Sequence, residues 1–157
     1  MRPARLSILV CCALLAACGG DDKDEASGER TEQAWAAEVN AVCRDNQEAT
    51  RGTADEVRET GLGQREATAE VLARSVPIER RLLARLGKVP APAALERDYT
   101  RFLDRLGDTL PLLGQLATVV RENREDPELT TKLTKIAADT RPFATKHRLT
   151  ACLPDAN

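Results

Sequence analysis

From Thr31 onward, apolar residues recur along the chain at intervals of three and four positions, which places them on one face of a helix. No stretch alternates apolar and polar positions in the way that a half-buried strand does. Four such faces follow one another: Trp35 to Val57 (with Ala49 among its members), Val71 to Val89, Leu95 to Val120 and Leu129 to His147. The pattern therefore predicts four amphipathic helices and no sheet.

Residues that stop or start helices separate these segments. Gly61-Leu62-Gly63 ends the first, because glycine tolerates the left-handed conformation that follows a helix. Proline cannot continue a helix, so Pro90-Ala91-Pro92 ends the second. The third ends at Arg121-Glu122-Asn123-Arg124, and Asp126-Pro127 then opens the fourth with an N-cap acceptor and a proline at the first helical position. Short connections of this kind predict an all-α, up-down-up-down four-helix bundle.

Three prolines, Pro77, Pro111 and Pro142, fall inside apolar faces that keep their phase across them. Each removes a backbone hydrogen bond and displaces the carbonyl four residues earlier, so kinked helices are expected rather than broken ones. Kinks that merely curve a closed bundle are one interpretation. Kinks that hold an apolar cavity open between the helices are the other.

The first residues of the chain have the pattern of an export signal. Arg2 and Arg5 precede an apolar run over residues 6–15, which is about half of the ~20 residues that a membrane-spanning helix needs. The run leads into Leu15-Ala16-Ala17-Cys18, which resembles the lipobox of bacterial lipoproteins. That resemblance implies transfer of a diacylglycerol to the Cys18 thiol, cleavage before Cys18, and often acylation of the new amino terminus, with fatty acids such as palmitate. A plain secretion signal with an incidental cysteine is the alternative.

This interpretation divides the chain into a signal peptide at 1–17, a flexible acidic tether at 18–31 and a helical bundle domain at 32–157. Without residues 1–17, 21 basic and 25 acidic residues remain, a net charge of −4. A mildly acidic protein is not expected to bind nucleic acid or an anionic membrane face. The expected location is the extracytoplasmic face of the cell membrane, with the lipid as the only membrane attachment.

The cysteine count agrees with export. Of the five cysteines, two leave with the signal peptide and Cys18 is acylated, which leaves Cys43 and Cys152 as a pair. In an oxidising compartment such a pair indicates a disulfide, and the antiparallel fourth helix would return Cys152 toward Cys43. Free thiols are the alternative. A cysteine metal site needs clustered ligands, which the sequence does not contain.

The sequence offers little chemistry beyond this. The single His147 lies near the end of the fourth face, where we expect a structural role, and no nucleophile, metal or cofactor motif accompanies it. We therefore predict no catalytic residue, no cofactor and no enzyme activity. The opening Trp-x-x-x-Val-x-x-Val-Cys (Trp35 to Cys43) with a second cysteine before Leu153-Pro154 is similar to small helical lipoproteins of GC-rich bacteria, a resemblance that implies no particular activity.

Two functions remain open from the sequence. The first is a lipid-anchored module that binds or scaffolds an envelope protein through a helix face. The second is a carrier of an apolar ligand between kinked helices. An enclosed apolar cavity would favour the carrier, whereas a packed core with an exposed apolar patch would favour the module.

Overall fold

A computed structural model of the protein describes residues 31–153, and this part of the chain is helical, without strands. Its elements are α1 (Glu32–Glu59), α2 (Gln64–Leu86), α3 (Glu96–Gly107), α4 (Thr109–Arg121), α5 (Pro127–Lys146) and a short 3₁₀ helix (Thr150–Cys152). The predicted all-α bundle is confirmed. The predicted signal peptide, the lipidation site Cys18 and all of the predicted tether except Thr31 lie outside the described residues.

Local capping explains where the helices begin and end. The Thr31 side chain accepts a hydrogen bond from the Ala34 N–H (3.2 Å) at the start of α1. Gly61 follows α1 with φ +71°, the left-handed conformation that glycine adopts most readily. Asp126 caps α5 by accepting from the Leu129 N–H (2.9 Å), with Pro127 at the first helical position. These three positions are set by local sequence.

The third predicted helix is divided, contrary to the expectation of a continuous helix kinked at Pro111. α3 ends at Gly107 and α4 begins at Thr109, so only Asp108 separates them. Asp108 keeps helical angles (φ −61°, ψ −18°), and the two helices together form one limb of the bundle. Pro111 is the third residue of α4, in the first turn, where a missing N–H removes no helical hydrogen bond. Pro77 and Pro142 do lie inside helices, in α2 and α5.

Helix α1 has fewer neighbouring helices than it would have in a closed four-helix bundle. α2 lies between α1 and α4, and α5 packs against α3 and α4. No Cα atom of α1 comes within 8 Å of a Cα atom of α3, α4 or α5, so a seam separates α1 from α5. Ala49, predicted on the core face of α1, is consequently exposed. The prediction for Ala49 was wrong because spacing identifies a face but not how many neighbours that face has.

The main core occupies one end of the bundle, where α1 and α3 begin and α2 and α5 finish; we call it the disulfide end. Its buried residues are Trp35, Ala36, Val39, Val42, Cys43, Leu86, Val89, Tyr99, Phe102, Ala144 and Leu149. The opposite end, formed by the turn at 61–63 and the connection at 122–126, we call the distal end. Smaller buried side chains, among them Val57, Ala69 and Ala117, fill the bundle toward that end.

The segment after α5 closes the seam at the disulfide end. Cys43 and Cys152 form the predicted disulfide, with their Cα atoms 5.1 Å apart. Asn40 of α1 donates to the Arg148 carbonyl and accepts from the Ala151 N–H, both at 2.9 Å. The 3₁₀ helix is therefore fixed to α1 by a covalent bond and by side-chain hydrogen bonds.

Candidate functional site

An aromatic cluster spans the gap between α1 and the helices opposite it. The Trp35 side chain is fully buried, and its ring lies edge-on to Tyr99 with 5.0 Å between ring centroids. The rings of Phe143 and His147 lie 6.3 Å and 6.1 Å from it. Large rings thus fill a space that is too wide for close backbone packing. The cluster is a core feature, and its rings stabilise the disulfide end.

The only histidine belongs to this cluster. The His147 ring is buried, and its Nδ1 lies 2.7 Å from Oε1 of Glu32, whose side chain is about half exposed (55%). The contact joins the first turn of α1 to the end of α5. The Trp35 Nε1 atom is buried nearby without a hydrogen-bond partner among the described residues. His147 therefore packs with the aromatic rings and joins α5 to α1 through Glu32.

The groups that metal binding requires are not gathered in the described part of the chain. Among residues 31–153, no three His, Cys, Asp or Glu side chains are grouped so that they could hold a metal ion. None of the helices there combines the length and apolarity that crossing a membrane requires.

Surface depressions bear on the two functions left open by the sequence. Five of them, with volumes of about 480 to 720 Å³, are all open to solvent. One lies between α3 and α5 over Phe102 and Phe143, but its cations are already paired, as in Lys135 with Asp139 (3.1 Å). An open depression leaves much of an apolar ligand in water. These shapes favour a docking surface over a carrier's cavity.

A depression along α5 is more apolar; its lining is Thr134, Ala137, Ala138, Arg141, Pro142, Thr145 and Lys146. The groove that carries an exposed large apolar side chain lies at the distal end, between the end of α1 and the start of α2. It has a volume of about 630 Å³ and is lined by Ala54, Val57, Arg58, Leu62, Gln64, Ala67, Thr68, Val71 and Leu72. We call it the distal groove. Val57 forms a buried part of its lining, whereas Val71 and Leu72 are half-buried. Leu62 stands at its edge with 46% of its surface exposed, the one exposed large apolar side chain among the described residues.

Local geometry explains why Leu62 stays exposed. The two glycines that flank it end α1 and precede α2, and Gly63 is the N-cap residue of α2. The Thr60 hydroxyl donates to the Val57 carbonyl (2.6 Å) and completes the last turn of α1. A tight turn between two antiparallel helices projects its central side chain beyond both of them. Leu62 can therefore contact a partner without any rearrangement of the bundle.

Acidic residues surround the distal groove. Asp55 pairs with Arg58 (2.6 Å), and Glu56 lies 3.8 Å from Arg74. Glu59 and Glu66, which flank the turn, make no ion pair with another described residue. Arg65, also next to the turn, makes no ion pair with another described residue either. Four carboxylates and three cations therefore surround the groove, a small excess of negative charge that favours a partner with basic residues next to its apolar side chain.

Sequence reasoning located the turn at 61–63 but treated it only as the end of a helix. The distal groove was missed because its lining comes from two helices, and their pairing is not visible in the spacing of either one. The available signal was Leu62 itself, a large apolar residue between two glycines in a turn, where polar residues predominate.

Comparison of the chain with family models, curated proteins and solved structures found no match.

Proposed function

We propose that this protein is a lipid-anchored module on the extracytoplasmic face of the membrane, and that it binds an envelope protein at the distal groove. The observation that carries the proposal is the exposure of Leu62 beside an apolar groove. Apolar patches of this kind on small domains are commonly sites of protein interaction.

The partner that fits the distal groove is a protein segment with apolar side chains and basic neighbours. The apolar lining, including Val71 and Leu72, offers burial to aliphatic side chains. Glu59 and Glu66 then pair with cations beside them, which favours correct orientation and faster association. A lipid or a free apolar molecule would gain nothing from these carboxylates.

Anchoring at Cys18 agrees with this placement of the groove. The lipobox Leu15-Ala16-Ala17-Cys18 is followed by twelve residues before Thr31, which caps the start of α1 at the disulfide end. α1 has 28 residues, so the distal end lies about 42 Å farther along the bundle. A protein held at Cys18 can therefore present the distal groove away from the bilayer.

The binding proposal is tested by photo-crosslinking in intact cells, with a photoreactive residue placed at Thr68 inside the groove. We expect a discrete adduct that disappears when Leu62→Glu is added, because a charge at this exposed position opposes apolar contact without disturbing the core. Ala137→Glu is the matched control, since Ala137 is exposed on α5 and the charge change is the same. A photoreactive residue at Thr100, exposed on α3, reports non-specific proximity. An adduct that survives Leu62→Glu, or forms equally from Thr100, contradicts the proposal.

The anchor is tested separately. Cys18→Ser is expected to abolish metabolic fatty-acid labelling and to release the protein from membranes or leave it uncleaved. Two acyl chains bind durably, since each buried methylene contributes ~0.8 kcal/mol. Labelling that persists in Cys18→Ser shows that this cysteine is not the acylated residue.

A further inference from the structure

Charge is divided unequally between the two ends of the bundle. The half toward the disulfide end, residues 31–45, 76–107 and 137–153, contains eleven Lys and Arg against eight Asp and Glu. The half toward the distal end, residues 46–75 and 108–136, contains eight against eleven. The described part is neutral as a whole, so its composition conceals this polarity. Only the antiparallel arrangement of the helices places these distant stretches of sequence at one end.

Eight cations in the half toward the disulfide end make no ion pair with another described residue, and four of them lie closest to that end: Lys88, Arg97, Lys146 and Arg148. All four side chains are exposed. Lys88 follows α2, Arg97 is the second residue of α3, and Lys146 and Arg148 lie at the end of α5. We call these four residues the basic rim.

Two contacts hold the parts of the basic rim at one end of the bundle. The Tyr99 hydroxyl donates to the Leu86 carbonyl (2.9 Å), which joins the start of α3 to the end of α2. His147 and Glu32 join the end of α5 to the start of α1. Lys146 and Arg148 border one depression of about 560 Å³ together with Glu32 and Gln33 from α1. The basic rim is therefore carried by the rigid core of the domain.

Helix stability accounts for only part of the basic rim. A cation near the end of a helix offsets the partial negative charge there, which explains Lys88 and Lys146. Arg97 lies in the first turn of α3, where the helix dipole disfavours a positive charge. At the distal end Arg58 and Arg121 lie near helix ends and have carboxylate neighbours, whereas Arg65, in the first turn of α2, is unpaired like Arg97. The unpaired cations at the disulfide end are available to an external anion.

We propose that the basic rim docks on the anionic phospholipid headgroups of the membrane that holds the lipid anchor, so that the bundle stands with its distal groove outward. This inference rests on the proposed anchoring at Cys18. A flexible chain of twelve residues spans about 20 Å on average, so Thr31 and the basic rim can reach the bilayer surface. Headgroup phosphates attract basic side chains over about one Debye length, whereas the acidic distal end is repelled.

The expectation from net charge, that the protein avoids an anionic membrane face, changes once the charges are placed on the fold. Net charge averages over the molecule, but a surface within one Debye length responds only to the charges that face it. Acidic residues between Cys18 and Thr31, such as Asp21 and Asp22, compete with the lipid headgroups for binding to the basic rim. The experiment must distinguish these two occupants.

The test is cosedimentation with vesicles, using the chain from residue 18 onward with Cys18→Ser, so that no acyl chain contributes. We expect binding to phosphatidylcholine vesicles that contain roughly a third phosphatidylglycerol and none to phosphatidylcholine alone, with binding lost in high salt. Lys88→Glu combined with Lys146→Glu should lower the partition coefficient at least about thirtyfold. Arg97→Glu should lower it as well, and it is benign for folding because an acid suits the first turn of α3.

Arg65→Glu combined with Arg124→Glu at the distal end is the matched control, with the same change in net charge and no expected effect. Equal binding to both kinds of vesicle, or equal loss in the rim and control variants, overturns the proposal. Binding that appears only after Asp21, Asp22, Asp24 and Glu25 are changed to Asn or Gln overturns it in favour of the acidic segment as the occupant. None of these outcomes depends on acylation. The fatty-acid labelling experiment with Cys18→Ser therefore tests the anchor independently.

Discussion

Cys43 and Cys152 form a disulfide that joins the middle of α1 to the 3₁₀ helix 109 residues later in the chain. The bond lies between two side chains of α1 that hold the same segment. Asn40, one turn earlier, bonds to the Arg148 and Ala151 backbone, and Gln47, one turn later, donates to the Ala151 carbonyl (2.9 Å). No helix packs closely against α1 on this side. The segment after α5 covers this side of α1 instead, and it is held there by the disulfide and these hydrogen bonds.

Cys43→Ser and Cys152→Ser should each lower stability, and by similar amounts. Closing a loop of this length stabilises by at most about 4 to 5 kcal/mol in the chain-entropy model. The double variant should lose little more than either single one, because one bond accounts for both effects. Urea unfolding of the oxidised protein and the three variants measures this. Additive losses, or two titratable thiols in the exported protein, would show that the bond does not form there.

The single tyrosine should ionise only when the protein unfolds. Burial, with a smaller contribution from the Glu38 charge, raises the pKa of Tyr99 well above its usual range. The unfolded chain releases the phenolic proton near pH 10, whereas the folded protein retains it. Stability should therefore fall as pH rises above about 10. Tyrosinate absorbance, which reports on Tyr99 alone, should increase together with the loss of helical circular dichroism.

Tyr99→Phe provides the control for this alkaline effect. The hydroxyl donates to the Leu86 carbonyl, which also accepts from the Val89 N–H (3.0 Å), so neutral-pH stability should drop by only about 0.5 to 1.5 kcal/mol. The difference in stability between wild type and Tyr99→Phe should shrink above pH 10. A tyrosine that titrates reversibly in the fully helical protein would contradict the burial of Tyr99.

Two prolines should respond differently to alanine. Pro142 lies inside α5 and is exposed, so Pro142→Ala restores an N–H for the Ala138 carbonyl and should stabilise by about 1 to 3 kcal/mol. Pro111 lies in the first turn of α4, and Pro111→Ala should change stability by less than about 0.5 kcal/mol. Thermal unfolding of both variants checks this. An equal gain at both positions would mean that α3 and α4 behave as one continuous helix.

The predictions of helix boundaries that depended on residues close in sequence were accurate. The N-cap at Asp126, the left-handed Gly61 and the end of α1 at Glu59 followed from side chains within a few positions of each boundary. The pairing of Cys43 with Cys152 was also predicted correctly, because the antiparallel topology brings these two positions together. Apolar spacing and capping chemistry act locally, so they can be recognised in one sequence.

The amino-acid sequence alone determined that this chain forms amphipathic helices, where most of them end, and which cysteines pair. It did not show that α1 has only α2 as a close helical neighbour, which leaves Ala49 in water, nor that the helix expected around Pro111 is divided at Asp108. It also concealed the distal groove around Leu62 and the basic rim. Both combine residues from separate helices, and only packing decides which faces and ends of those helices meet.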